Sequence, residues 1–275
     1  ADSAPLPAET EATSPPCSTF SPTRKVTLIT HNLNLEGAPL FLWELAQHLA
    51  AQGTAINVIS AQEGPLTSKY KSVGASITIV NIDSLWKAES SPELGREITH
   101  LGQKLDFSDS ELVIANTLSC FWGVHLAALA KKPSLLYIHE STTPTSFYHG
   151  HMAPATLALI QSTFQLASHV SFLTEATRAY YRTWLGSNNH SINPGWIDVG
   201  AIDDFLAKNS REALRQKLGL SDDEKLVINI GSVCDRKGQH IFIRGIDLLA
   251  RFDPALVSGC QFFMVGGRDT LFDRD

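Results

Sequence analysis

Cysteine is scarce in this chain. The four present, Cys17, Cys120, Cys234 and Cys260, are scattered with no C-x-x-C pair, which excludes a disulfide framework and a zinc signature. They read as reduced cytosolic thiols acting as small hydrophobes. No run of 18 or more apolar residues occurs, so a spanning helix is not expected. The most apolar stretch, Pro154 to Leu173, is interrupted by Gln161, Ser162, Gln165 and His169 and reads as a buried helix followed by a strand. Charged residues make up only 18% and the formal net charge is −6, which excludes a general nucleic-acid binder. No G-x-G-x-x-G follows the first strand, which disfavours a NAD-dependent oxidoreductase, and there is no Walker pattern. The G-x-S-x-G elbow of serine hydrolases is also missing. The first two dozen residues lack a basic segment followed by an apolar core, so no signal peptide is expected among them. Glutamate is absent after Glu224.

What is present is a strand and helix alternation. Residues 1–24 are rich in Pro, Ser, Thr and Ala and bury too little apolar surface to order, so a loose tail is expected. From Lys25 the chain reads as a strand (Val26 to Thr30), a loop, a helix carrying Leu40, Phe41, Leu45 and Leu49, a terminating Gly53, and a second strand (Ala55 to Ile59). Further strands are expected at Ser76 to Val80, Leu112 to Ala115, Ser134 to His139 and Val170 to Leu173. Helices are expected near Glu93 to Leu105, Ser119 to Ala130, Pro154 to Ala167 and Glu175 to Trp184. That alternation predicts an α/β fold with a doubly wound, Rossmann-like parallel sheet over 25–198. After a hinge at 199–209 the pattern restarts over 210–275. Helices are expected at Ser210 to Leu218 and Gln239 to Leu249, and strands at Leu226 to Ile230 and Gln261 to Val265. This is the beginning of a second Rossmann-like unit, too little to bury a sheet alone.

Ligands of open α/β sheets bind beyond the carboxyl ends of the strands, which selects three segments. In His31 to Pro39, Gly37 and Ala38 open a helix, where main-chain N–H groups can face a phosphate; service of the turn alone is the equal alternative. At Tyr137 to Ser141, His139 and Glu140 end a buried strand, where they can orient a hydroxyl or exchange protons, although a lone histidine is more often structural. In Asn229 to Gln239, a Gly231-Ser232 turn is followed by Arg236 and Lys237 just before a helix. Cations there oppose the helix dipole unless an anion sits between them, which favours phosphate binding over the alternative of a solvated Arg-Lys pair. His149 and His151, one residue apart with no nearby Cys, make a poor metal set and read instead as part of a loop over the cleft.

Taken in order, these segments resemble the family 4 retaining glycosyltransferases of the GT-B type, over Lys25 to about Asp269. Glu36-Gly37-Ala38-Pro39 resembles the Gly-Gly-Ala-Glu turn, with Glu36 in the first Gly place and Pro39 in the Glu place. His139-Glu140 is similar to the His-Asp or His-Glu element near the donor sugar. Phe172 to Arg178 resembles the serine-then-helix segment, with Thr174 in the Ser place. Asn193-Pro194-Gly195-Trp196-Ile197-Asp198 resembles the Pro-Asn-Gly-Ile-Asp hinge with its first two residues exchanged. Gly231 to Gln239 resembles the Arg…Lys-Gly clamp on the donor diphosphate, with Ser232 in place of one cation.

The resemblance implies sugar transfer from a nucleotide-diphosphate sugar with retention and with no metal or other cofactor. Its site residues would be His139 in catalysis, and Gly37, Ala38, Ser232, Arg236 and Lys237 on the diphosphate. Glu140, His149 and His151 would lie on the acceptor side. It implies a glycan, lipid or small-molecule acceptor and a cytoplasmic enzyme, with peripheral contact at the inner face of the membrane as one option. The Glu-x7-Glu donor motif of the family would lie beyond this stretch, so the chain alone is expected to be inactive. The alternatives are a non-catalytic nucleotide or sugar-phosphate binding module and a nucleotide-sugar epimerase of the same fold.

Overall fold

The structure, a computed structural model, describes residues 25–148, 152–186, 189–233 and 237–266. It divides into two units, Ala1–Gly195 and Trp196–Asp275.

The first unit runs β1 (Lys25–Thr30), α1 (Gly37–Ala51), β2 (Ala55–Ser60), α2 (Leu66–Ser72), β3 (Ser76–Ile79), α3 (Asp83–Lys87), α4 (Ser91–Lys104) and β4 (Leu112–Asn116). It continues with a 3-10 turn (Leu118–Cys120), α5 (Phe121–Leu129), β5 (Ser134–Ile138), α6 (Pro144–Phe147), α7 (Pro154–Leu166), β6 (His169–Phe172), α8 (Glu175–Tyr181) and β7 (His190–Ile192). The seven strands form one parallel sheet in the order β3-β2-β1-β4-β5-β6-β7. The central strands are buried on both faces, as sheets covered by helices on both sides require; in β1 every residue after Lys25 is buried. Pleating sends Leu28 to one face and Ile29 to the other, and each belongs to a different core cluster. Helix α1 buries Pro39, Leu42, Trp43 and Ala46, the spacing of a single helical stripe. Helix α5 is buried nearly all round through Phe121, Trp122, Val124, Leu126 and Ala127, which explains its apolar composition. Gly53 ends α1 in the left-handed region at φ 84°, as its position in the sequence predicts.

The strand order reverses between β1 and β4. The chain steps outward from β1 to β3 and returns to lie beside β1, opening a crevice past the carboxyl ends of those two strands.

The second unit contains α9 (Val199–Lys208), α10 (Arg211–Lys217), β8 (Lys225–Ile230), α11 (Gln239–Phe252), α12 (Pro254–Val257) and β9 (Cys260–Val265), with β8 and β9 paired in parallel. The stretch read from sequence as a hinge is thus helical over Val199–Lys208, opened by Asp198 Oδ1 accepting from the Ala201 N–H at 2.9 Å. Leu220 is the one buried hydrophobic side chain among its described residues. Two strands cannot enclose a core.

Candidate active site at the strand crossover

The crevice is built from the ends of β1, β4 and β5 in the first unit. Asn116 closes β4, a fully buried amide after four apolar residues. A buried amide has to be satisfied on both sides. Its Nδ2 donates to the Ala38 carbonyl at 2.9 Å, across the crevice on α1, and its Oδ1 faces His139 Nε2 at 2.8 Å. The contact to Ala38 fixes which way the amide points. The oxygen turned to His139 only accepts, so Nε2 carries the imidazole proton and Nδ1 keeps its lone pair. Burial, helped by the nearby His31, pushes His139 down to about 4, so the ring is neutral at physiological pH. Phe41 and Tyr137 flank it with ring centroids at 5.0 Å each.

Glu140 lies on the other side of the main chain and is 7% exposed. Its Oε1 accepts from the Leu118 N–H at 3.0 Å and its Oε2 from the His139 N–H at 3.1 Å. Burial raises this carboxyl to about 7 even though main-chain donors oppose the shift. Glu140 therefore braces the turn after β4, where Thr117 takes a left-handed φ of 84°.

Two residues not singled out from sequence complete the crevice. His31, just past β1, has Nε2 3.8 Å from Glu36 Oε2 and Nδ1 3.5 Å from Thr117 Oγ1. Burial lowers its pKa, against the upward pull of the Glu36 carboxylate. The signal that would have found Asn116 and His31 is the same for both: a polar residue ending a buried apolar strand.

Gly37 and Ala38 form the first turn of α1, Gly37 exposed and Ala38 half-buried, with no acidic side chain in that turn. Ala38 is brought to His139 through Asn116, whereas His149 and His151 lie outside the described residues.

In the second unit, Lys237 is exposed and directly precedes Gly238, the left-handed N-cap of α11 at φ 70°. Buried Gln239 donates to the carbonyls of Gly231 and Ser232 at 3.3 and 3.2 Å, which holds the turn after β8. The loop after β9 closes on the same turn, because a Cβ on Gly266 would lie 2.4 Å from the Gly231 carbonyl oxygen. Arg236 lies outside the described residues.

The family model for Glycosyltransferase Family 4 matches residues 35–199, more than half of the chain. The chain belongs to glycosyltransferase family 4. No curated protein matches it. Among solved structures, it is similar to Anabaena HepE in complex with UDP and glucose, at 18% identity and a TM-score of 0.65 over 92% of this chain and 63% of that one. It is similar to WaaG, a glycosyltransferase involved in lipopolysaccharide biosynthesis, at 16% identity and TM-score 0.57 over 90% and 72%. It also resembles UDP-GlcNAc 2-epimerase from Neisseria meningitidis bound to UDP-GlcNAc, at 15% identity and TM-score 0.52 over 91% and 67%. The family 4 chain thus has the GT-B fold and spans 63% of the length of the HepE structure.

Proposed function

We propose that this family 4 chain is part of an enzyme that transfers a sugar from a nucleotide-diphosphate donor to an acceptor, with retention at the anomeric carbon. The observation that carries the reading is the Ala38–Asn116–His139 chain of hydrogen bonds across the crevice between β1 and β4. It holds one neutral imidazole, in one tautomer, beside the first turn of α1. A neutral ring with a bare Nδ1 accepts a hydrogen bond from a sugar hydroxyl and adds no positive charge to a site that handles an oxocarbenium-like centre.

On this reading the diphosphate-binding residues are Gly37 and Ala38, which offer main-chain N–H groups, and Ser232, Arg236 and Lys237. Glu140 works by fixing the main chain at Leu118 and His139, and His149 and His151 belong to the acceptor loop. The UDP in the HepE structure and the UDP-GlcNAc in the epimerase structure support a nucleotide-sugar donor. Transfer, as opposed to epimerisation, is favoured by the family model.

The test is calorimetric binding of UDP-, GDP- and ADP-sugars to the full-length gene product and to its Lys237→Ala variant. Saturable binding to one nucleotide that the substitution removes is the expected result. A folded protein that binds none of the three sinks the donor reading.

A further inference from the structure

A cleft of about 500 Å³ opens on the first unit beside His31, within the ~300–1,000 Å³ range of small-ligand sites. It is made by loops past the carboxyl ends of four adjacent strands: His31 after β1, Gln62 after β2, Asn81 and Asp83 after β3, and Ser119 after β4. Trp86 of α3 forms a wall, its ring set edge-on to Phe121 and tilted against Tyr148, both with centroids at 5.4 Å. We propose that this cleft takes the acceptor as an uncharged saccharide, with Trp86 against the sugar's C–H face and Gln62, Asn81 and Asp83 on its hydroxyls.

The proposal rests on the transferase reading and specifies its second substrate. Among the described residues the lining holds no Lys or Arg, and its carboxylate is that of Asp83. A phosphorylated sugar or a lipid phosphate entering here meets a like charge and finds no cation to pair with. The polar groups suit hydroxyls instead. Asn81 Oδ1 is already engaged by the Asp83 N–H at 2.8 Å, which leaves Asn81 Nδ2 to donate, and the Asp83 carboxylate only accepts. A donor and an acceptor side by side match the vicinal hydroxyls of a sugar ring. The main chain at Gln62 is clamped to Ser60 Oγ, which accepts from the Gln62 N–H at 3.3 Å and donates to the Gln62 carbonyl at 2.7 Å. The Ser119 hydroxyl is joined to Tyr148 Oη at 3.0 Å, and that contact fastens the far wall. A site that pairs with hydroxyls discriminates strongly against ligands that lack them.

The experiment uses the full-length gene product with radiolabelled donor and three acceptor sets. These are neutral p-nitrophenyl glycosides, the same glycosides carrying a 6-phosphate, and polyprenyl phosphate in phosphatidylcholine vesicles. Label is expected on members of the neutral set. Trp86→Ala and Asp83→Lys are each expected to raise the KM for a neutral acceptor about tenfold or more, and Asp83→Lys brings phosphorylated glycosides into use. Trp86→Phe keeps the packing against Phe121 and Tyr148 and is expected to restore most of the affinity. Preferential labelling of the phosphorylated or lipid-linked set overturns the proposal, as does donor hydrolysis with no neutral glycoside labelled. Unchanged acceptor KM in both Trp86→Ala and Asp83→Lys overturns it too. Absence of any donor binding or hydrolysis takes down the transferase reading and this inference with it, so the two failures are told apart.

Discussion

Leu118 donates its main-chain N–H to Glu140 Oε1 at 3.0 Å, joining the turn after β4 to the end of β5 through a buried carboxyl group. Because burial raises the Glu140 pKa to about 7, the folded protein binds this proton more tightly than the unfolded chain does. The stabilising contribution is therefore full below the unfolded value and is lost as pH rises through about 7. Urea unfolding between pH 5 and pH 8 is expected to show stability falling with pH, by on the order of 3 kcal/mol from this group. Glu140→Gln removes that slope and costs roughly 1–3 kcal/mol at pH 5, since its amide nitrogen faces a donor. Equal slopes in the two proteins would refute the assignment.

Burial and His31 keep His139 neutral, and Asn116 sets its tautomer. Asn116→Asp replaces a neutral acceptor with a carboxylate 2.8 Å from Nε2, which favours the imidazolium. The His139 titration, followed by the NMR shift of its Cε1 proton, is expected to move up from about 4 by more than about one unit. A midpoint that stays in place would mean the hydrogen bond does not form in solution.

His31 responds in the opposite sense to loss of its partner. Glu36 pulls the His31 pKa upward while burial pushes it down, so Glu36→Gln leaves burial unopposed. The His31 midpoint is expected to fall in the same NMR titration. A rise would show that another group sets its charge.

Gly64 lets the loop after β2 pass against the loop after β1. A Cβ there would stand 2.3 Å from the Leu33 carbonyl oxygen, which also accepts from the Leu66 N–H at 2.9 Å. Gly64→Ala is expected to destabilise the protein by about 1–3 kcal/mol in urea unfolding. A change within about 0.5 kcal/mol, the range of an ordinary surface substitution, would mean that the loops part without strain.

The sheet was legible because its strands are short apolar runs closed by polar residues. The α/β alternation read from sequence is observed, with the short helices α2, α3 and α6 added that it did not contain. The misses have local causes. Strand β7 is three half-buried residues, His190–Ile192, too short for any periodicity to register. Helix α9 follows the hinge-like Asn193 to Asp198 segment and was read as its continuation, although Asp198 supplies a helix cap. The first turn expected in α5 is instead a 3-10 turn, where Thr117 enters at positive φ. At the site, His139 and Glu140 look like a single polar pair in sequence. In the fold they point to opposite sides, one toward the crevice and one into the core. Asn116 and His31 went unnoticed because their meaning depends on contacts with residues 78 and 86 positions away, Ala38 and Thr117.

The reversal of strand order between β1 and β4 divides the labour at the rim of the sheet. The ring of His139 is held by partners on α1 and at the end of β4, whereas most of the neighbouring cleft is shaped by the loops after β2 and β3. Those two loops can be exchanged or lengthened without touching the Ala38–Asn116–His139 clasp. Foreign segments grafted at 61–63, with Gly64 and the buried Val80, Ile82 and Leu85 kept in place, would thus reshape the cleft while leaving that clasp unchanged.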